Sequence, residues 1–456
     1  MNKISGWKDT IVAPATAPGI AAIGVIRVSG PDAINLVNHL FPNKDLTIQK
    51  THTLHFGTIQ WNGEIIDEVL ISLFKAPKSY TGENTVEISG HGSPYVMQQI
   101  LQALVANGAR MAKHGEFTQR AFINGKLDLT QAESVADLIV ANTQSAQRFA
   151  IHNLRGGFSL QLKQMREQLI QFASLIELEL DFATEDVEFA DRARFHTLIN
   201  DIEKVITELI TSFQLGNVVK NGVSVAIIGK PNAGKSTLLN ALLKEERAIV
   251  SEIAGTTRDT IEETLNIDGV LHRIIDTAGI RENSIDQIEN IGIERSLEKM
   301  RTADLVIYLF DVHIETNLDL EHRKKKFEEE GIAYLLVANK CDGEGVDESE
   351  NDDEIIRISA KHELGIEHLK RSMFEKTVGT PISNDQTVVT NARHLESLQN
   401  MSQSILQIKQ GLLQHIPGDL LSIEIRSCLF HLGEITGEVT SEDKLDYIFS
   451  KFCIGK

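Results

Sequence analysis

Val223-Ser-Val-Ala-Ile-Ile-Gly-Lys-Pro-Asn-Ala-Gly-Lys-Ser-Thr-Leu-Leu-Asn-Ala-Leu-Leu243 decides how this chain is read. The apolar, β-branched run Val223–Ile228 predicts a buried strand. Gly229 to Ser236 then forms a glycine-rich loop, and a helix-forming run follows. Strand, loop and helix in that order are the context a phosphate-binding loop requires. Gly229 and Gly234 let the backbone curl until its N–H groups face a phosphate chain. The helix N-terminus adds partial positive charge. Lys235 is placed to reach the β- and γ-phosphates, and Ser236 to offer its hydroxyl to Mg²⁺. An ordinary glycine turn would need none of these residues together.

Outward from that stretch, residues 216–378 alternate strand and helix, as a mostly parallel sheet covered on both faces requires. Glu262–Ile267 and Val270–Ile275 flank Asp268-Gly269, a two-residue hairpin signal. Asp304–Phe310 and Ala333–Ala338 read as buried strands. Glu344–Glu354 reads as an acidic surface loop, and Lys324–Lys326 as the solvated face of a polar helix.

Four short motifs follow the loop in order. Thr256-Thr257 precedes a strand, where a switch threonine completes a Mg²⁺ shell; spacing from Arg258-Asp259 favours Thr257. Asp276-Thr277-Ala278-Gly279 closes a hairpin strand, so that Asp276 holds Mg²⁺ through water and the Gly279 N–H senses the γ-phosphate. Asn339-Lys340-Cys341-Asp342 follows a strand, and Asp342 can accept two N–H groups of guanine that adenine lacks. Ser359-Ala360-Lys361 can back the guanine O6. The candidate GTP contacts are thus Ala233, Gly234, Lys235, Ser236 and Thr237, with Asp276 to Gly279, Asn339, Lys340, Asp342 and Ser359 to Lys361, while Asn232 reads as a free loop position. A water-positioning Gln often follows the Asp-Thr-Ala-Gly motif; here Ile280 stands there. Glu282, Asp286 and Glu289 remain alternatives for orienting water, with Arg258 or Arg281 for neutralising charge.

The flanking sequence has a different texture. Residues 1–120 read as a mixed α/β domain, with strands at Thr10–Ala13, Ile23–Val28 and Thr85–Ser89, a hairpin around Asn62-Gly63, and helices at Pro31–Leu40 and Pro94–Ala106. Residues 121–215 and 379–456 read as helical. Their apolar positions recur three and four apart, as at Leu160, Leu162, Met165, Leu169, Phe172, Leu175, Ile176 and Leu178, and again at Leu395, Leu398, Met401, Ile405, Ile408, Leu412 and Leu413. The simplest arrangement packs these two segments together, with the nucleotide domain inserted between them. The acidic run Asp181–Asp191 reads as a solvated connection, since it lacks calcium-loop spacing.

Composition narrows the class further. The 456 residues suffice for two to four domains, and no apolar run approaches membrane-spanning length. The N-terminus lacks the apolar core of a secretory signal, so a soluble, cytoplasmic protein is expected. Three cysteines are too few and too scattered for a disulfide framework or a zinc site. The formal charge of −19 excludes charge-driven, non-specific nucleic-acid binding by the molecule as a whole, and leaves RNA to a local basic patch or a basic partner.

Longer signatures are more specific. Asp9–Ala13, Gly24–Gly30, Tyr80–Gly92, Gly115–Phe122, Lys126–Glu133, Ile249–Asp259, Ile291–Arg295 and Cys453-Ile-Gly-Lys456 together resemble the MnmE (TrmE) family of tRNA modification GTPases along nearly the whole chain. The resemblance implies an α/β multidomain fold. It would comprise an α+β N-terminal folate-binding and dimerisation domain, an all-α helical domain in two segments, and an inserted P-loop, Ras-like G domain. It implies a homodimer, whose G domains pair when GTP and K⁺ bind, the ion supplying the charge of an arginine finger. Asn232, Ser251, Ile253 and Thr256 would be K⁺ ligands, and Ser236 and Thr257 Mg²⁺ ligands. By the same resemblance GTP contacts extend to Asn232 and through Ser251, Glu252, Ile253, Ala254, Gly255, Thr256 and Thr257. Glu289 would orient the attacking water with Lys235 as its catalytic companion, across a loop at Arg281–Gln287 one residue longer than the family pattern. Arg27, Glu87, Lys126 and Lys456 would hold a 5-formyl- or 5,10-methylene-tetrahydrofolate; without the family each reads as a surface ion pair. The implied partners are tRNA and an FAD-containing, NADH-dependent MnmG-type subunit in a heterotetramer, with no membrane. The reaction would place an aminomethyl or carboxymethylaminomethyl group on C5 of the wobble uridine. A ribosome-assembly GTPase, and a folate enzyme with a regulatory G domain, are the competing readings.

Overall fold

The computed structural model describes residues 8–181, 192–244, 263–275, 303–342, 354–379, 387–414 and 416–456. The chain folds into two compact units, one of residues 1–136, 153–199 and 403–456, the other of 137–152 and 200–402.

The first unit is built on a six-stranded sheet, β1 (Ile11–Pro14), β2 (Ala21–Ser29), β3 (Thr53–Trp61), β4 (Glu64–Phe74), β5 (Thr85–Gly92) and β6 (Arg110–Met111), in the order β3-β4-β5-β2-β1-β6. The expected hairpin forms β3 and β4, with Asn62 and Gly63 both at positive φ, as a tight hairpin turn demands. Alternate residues of β2 to β5, among them Ile26, Val28, Ile71, Leu73, Val86 and Ile88, pack beneath α1 (Ala33–Leu40) and α2 (Pro94–Ala106). The predicted helix over 94–106 has those bounds, begun by Pro94 in its first turn.

Two elements of this unit escape the pattern reading, the short β6 and helix α3 (Glu116–Ile123). α3 buries Glu116, Thr118, Gln119 and Arg120 beside Phe117 and Ala121, so its burial is more polar than apolar periodicity predicts. Those charges are paired. The Arg120 guanidinium reaches Asp9 at 2.8 Å, Glu116 at 3.0 Å and Glu83 at 3.3 Å, and Arg110 reaches Glu116 at 2.6 Å. Burial would raise the Glu116 carboxyl, but the Arg110 bond, the Lys113 backbone N–H and Arg120 outweigh it and hold it low.

Helices α4 (Leu129–Val140), α5 (Gln144–Leu154), α6 (Gly157–Asp181) and α7 (Arg192–Asn221) supply the expected helical stretch. In the first unit α6 buries Leu162, Met165, Leu169, Phe172 and Ile176 at steps of three and four. Leu160 and Leu175, read as part of that stripe, face solvent, and Leu178 lies outside the described side chains. α6 packs on a helix of the C-terminal segment, Gly418–Thr436, as the pairing of the two helical segments requires. Phe172 stacks on Phe195 at 3.6 Å, and Arg166 pairs with Glu438 at 2.7 Å.

The second unit carries β7 (Val223–Ile228), α8 (Lys235–Leu243), β8 (Glu263–Ile267), β9 (Val270–Ile274), β10 (Leu305–Asp311), α9 (Asn317–Glu329), β11 (Tyr334–Asn339), β12 (Ile355–Arg357) and α10 (Ile366–Val378). The sheet order is β12-β11-β10-β7-β9-β8, parallel except for β8, which joins β9 in the expected hairpin through Asp268 and Gly269. Alternate strand residues feed two cores, one holding Val225, Ile227, Leu305 and Leu309, the other Ala226, Val306, Tyr308 and Phe310. That double coverage is why these strands read as continuous apolar runs. The strand order reverses at β7, whose neighbours are β9 and β10, so the crevice at its carboxyl end is where this architecture binds ligands. Beyond it come α11 (Ala392–Leu413), α12 (Gly418–Thr436) and α13 (Glu442–Ser450). α11 buries Leu398, Met401, Ile405 and Ile408, while Leu413 at its end faces solvent.

Candidate functional site

The phosphate loop leaves β7 at that crevice. Asn232 adopts φ +64° and Gly234 φ +100°, the left-handed turns that curl the backbone ahead of α8. A Cβ on Gly234 would collide with the Asn339 side-chain amide, so glycine is required on both conformational and steric grounds. Ala233 is buried beneath the loop. Lys235 Nζ donates to the Gly229 carbonyl at 2.8 Å and the Lys230 carbonyl at 3.0 Å. Burial alone pushes the Lys235 ammonium below its ordinary range, so it gains from an anion placed in the loop. Ser236 and Thr237 open the first turn of α8 and are exposed.

Asn339, at the end of β11, links the phosphate loop to the base-recognition loop. Its Nδ2 donates to Ala233 O at 2.8 Å, and its Oδ1 accepts from Ala360 N at 3.0 Å. Five residues read separately from sequence (Asn232, Ala233, Gly234, Asn339 and Ala360) are thereby brought into one crevice. Asp342 is held low by a bond from Ser359 and by the nearby His362 and Lys361 charges, and His362 Nε2 lies 3.2 Å from its carboxylate. An ionised, accessible Asp342 suits two N–H donors on a purine edge. Lys340, at φ +67°, points its ammonium to Asp311 at 2.6 Å. Ser251 to Thr257, Asp276 to Gly279 and Glu289 lie outside the described residues, as do the alternatives Arg258, Arg281, Glu282 and Asp286.

A second cluster lies in the first unit. β2 and β5 pair Arg27 with Glu87 directly across the ladder, and the side chains form an ion pair at 2.8 Å. Arg27 lies between the rings of Tyr80 at 5.5 Å and Phe117 at 5.8 Å, and Tyr80 and Thr118 share a hydrogen bond at 2.8 Å. The C-terminus is inserted here. Arg27 Nη1 donates to Gly455 O at 3.3 Å, and Gly455, at φ +91°, presses so close to the Pro14 carbonyl that no Cβ fits. Lys456 is half-buried, and burial together with the Arg27 charge pushes its ammonium down. Three of the four residues assigned to folate therefore converge. Lys126 donates instead to the Pro77 carbonyl at 3.2 Å. Sequence reasoning passed over Tyr80, Phe117 and Thr118 as a frame for Arg27, and over Asp311; the only signals were their places inside quoted motifs or at a strand end.

The donors fit the groups in question. Ser236 offers a hard hydroxyl oxygen at a helix N-terminus, suited to Mg²⁺, and the exposed Asn232 an amide oxygen suited to K⁺. Arg27 pairs with Glu87, Lys456 lies near enough to feel the Arg27 charge, and burial already destabilises the Lys456 ammonium, so an anionic ligand is favoured there. Among the described residues no cluster of three or more His, Cys, Asp or Glu side chains could hold a metal.

Comparison with known proteins places these observations. The family description "GTP-binding protein TrmE N-terminus" matches residues 10–126, and "MnmE helical domain" matches residues 129–453. The tRNA modification GTPase MnmE of Cytophaga hutchinsonii is 52% identical, covering 99% of each chain. That of Flavobacterium johnsoniae is 51% identical, covering 98% of this chain and 99% of the relative. Among solved structures, the G domain of the T. maritima FeoB iron transporter is 26% identical over 34% of this chain and 98% of that one, at a TM-score of 0.25.

Proposed function

The chain belongs to the MnmE family of tRNA modification GTPases, and from that premise we propose how its two clusters serve the reaction. It is a GTP-hydrolysing enzyme of tRNA modification. Residues 1–120 act as a folate-binding and dimerisation domain, 216–378 as an inserted G domain, and 121–215 with 379–456 as the two segments of one helical domain. With an FAD- and NADH-dependent partner of the MnmG type, assembled as a heterotetramer in the cytoplasm, the enzyme adds an aminomethyl or carboxymethylaminomethyl group to C5 of the wobble uridine of tRNA. The one-carbon unit comes from a tetrahydrofolate derivative.

The Asn339 bridge carries the nucleotide half of this reading: one side chain ties Ala233 of the phosphate loop to Ala360 of the base loop, which positions both ends of a guanine nucleotide at once. The loop N–H groups and Lys235 hold the phosphates, and Asp342 selects guanine over adenine. Ser236 and Thr257 would hold Mg²⁺, and Asn232, Ser251, Ile253 and Thr256 would hold K⁺, which supply positive charge against the phosphates. Glu289 orients the attacking water. Hydrolysis is coupled to pairing of the G domains within a homodimer.

The first unit supports the folate and dimer parts. Arg27 and Lys456 take the ligand's carboxylates, and Glu87 takes the N–H edge of its pterin. Directly paired residues share a sheet face, so Arg27, Glu87, Ser72 and Leu54 form one row, and Val25, Ser89, Leu70 and Phe56 the next. Leu54, Phe56, Leu70 and Ile23 on this face are exposed. An apolar patch beside the anion cluster suits a second copy of the chain. Among the described residues no helix is long and apolar enough to cross a membrane.

Nucleoside analysis of tRNA from a deletion strain tests the assignment. Loss of the wobble-uridine modification, restored by the intact gene, is expected; normal tRNA overturns it. GTP-dependent co-sedimentation with ribosomal subunits would instead favour an assembly factor.

A further inference from the structure

The turn between β10 and α9, Asp311-Val-His-Ile-Glu315, belongs to no nucleotide motif, yet its two carboxylates each hold a lysine from a different nucleotide loop. Glu315 Oε2 lies 3.0 Å from Lys230 Nζ, and Asp311 Oδ2 lies 2.6 Å from Lys340 Nζ. We propose that this turn is a positioning element for the nucleotide site, setting the phosphate loop through Glu315–Lys230 and the base loop through Asp311–Lys340. The inference rests on the reading of the crevice as a GTP site.

Glu315 is anchored from the core side. Its side chain is 2% exposed, and it accepts a bond of 2.6 Å from the hydroxyl of Tyr308, which is buried on β10. Tyr308 is itself held by Phe327 edge-on at 6.1 Å and by Arg323 over its ring at 5.3 Å. Lys230 is the half-exposed member of the pair. A fixed carboxylate therefore restrains a mobile cation, and the loss of side-chain freedom is incurred once, during folding, rather than at each binding event. The restraint reaches the phosphates, because the Lys230 carbonyl is one of the two that hold Lys235. When Lys235 turns to a nucleotide it releases those carbonyls. The loop then depends on its remaining anchors, Glu315 to Lys230 and Asn339 to Ala233.

At the other end of the turn, Asp311 accepts the His313 backbone N–H at 3.0 Å, and Val312 N donates to Asn339 O at 3.2 Å. The turn thus touches the residue that links the two loops. Fixed supports of this kind are what keep a binding constellation within the narrow geometry it needs.

The test is the dissociation rate of a fluorescent GDP analogue from the full-length chain. Wild type must bind it; failure there sinks the GTP-site reading and is distinguishable from failure of the inference. Glu315→Gln is expected to speed release about tenfold, and Lys230→Met by a similar factor. In the Lys230→Met background, Glu315→Gln should add nothing, because its effect passes through that lysine. Asp311→Asn and Lys340→Met form a second cycle with the same expectation. Tyr308→Phe, which keeps the ring and removes only the bond to Glu315, should speed release about threefold, and replaces Glu315→Gln should that variant not fold. Unchanged release in Glu315→Gln, or effects that multiply in the double variant, would overturn the proposal: the first denies any positioning, and the second assigns the effect to general stability.

Discussion

In the proposed function the two clusters solve the same problem, holding an anion, with different materials. The phosphate loop uses backbone N–H groups, a helix N-terminus and Lys235, all within the contiguous stretch Gly229–Ser236. The Arg27 cluster uses side chains from β2, β5 and the last residue of the chain, framed by Tyr80 and Phe117. A backbone cradle is set by conformation, so it fails when the turn is blocked. A cluster of side chains is set by tertiary packing and charge, so it fails in steps and depends on pH.

The largest expected effect separates the two. Gly234→Val removes the positive-φ turn and drives a side chain into Asn339. It should weaken GTP binding by more than about a hundredfold in a fluorescence titration while leaving folate binding intact. Equal loss at both clusters would mean that the variant had damaged the fold rather than the loop.

Arg120→Met should come next, lowering the stability of the first unit by about 3 kcal/mol in a chemical melt, because it removes the buried cation shared by Asp9, Glu83 and Glu116 and leaves Asp9 and Glu116 to Arg110. Nucleotide release from the second unit should not change.

Acid distinguishes the units in a third way. His272 is fully buried on β9, and burial depresses its imidazole to about 4 despite its bond to the Val270 carbonyl. A depressed histidine contributes stability that is full above its unfolded value, near 6.5, and is lost as pH falls toward 4, by about 3 kcal/mol in all. Asp9 and Glu116 are also depressed, so their contribution is lost only below their unfolded values of 3.8 and 4.5. Between pH 6.5 and 4.5 the second unit should therefore weaken more than the first, which loses only the smaller contribution of His55, also lowered by burial, as followed by hydrogen exchange in each. His272→Leu should flatten that slope.

The smallest effect concerns Lys456. Burial and the Arg27 charge lower its ammonium pKa, so an anion held there should be released at a lower pH than a free lysine would allow. Lys456→Arg should extend folate binding to higher pH, and Lys456→Gln should weaken it about threefold to tenfold at neutral pH.

How much of this was legible follows from the same contrast. The loop, both hairpins and α2 are local: Asn62-Gly63, Asp268-Gly269 and Pro94 specify them within a few residues. Helix α3 escapes because hydrophobic periodicity detects only apolar burial, and most of its buried face is a polar and charged network closed by Asp9 and Glu83 from elsewhere in the chain. Leu160, Leu175 and Leu413 fit the spacing of a helical stripe but lie at its edge, where one position of helical rotation moves a residue from core to solvent. The convergence of Arg27, Glu87 and Lys456 was visible only through family resemblance, since nothing within ten residues of any of them points to the others. Nothing local in the sequence marks Asp311 and Glu315, because their partners lie in loops 29 and 85 positions away.

The most direct measurement of the central claim is GTP hydrolysis in KCl and in NaCl at matched ionic strength, for wild type and Asn232→Ala. The account predicts turnover of GTP but not ATP, strong stimulation by potassium, and loss of that stimulation in the variant. Equal rates in both salts, unaffected by Asn232→Ala, would contradict a potassium-completed site and return the search for catalytic charge to Arg258 or Arg281.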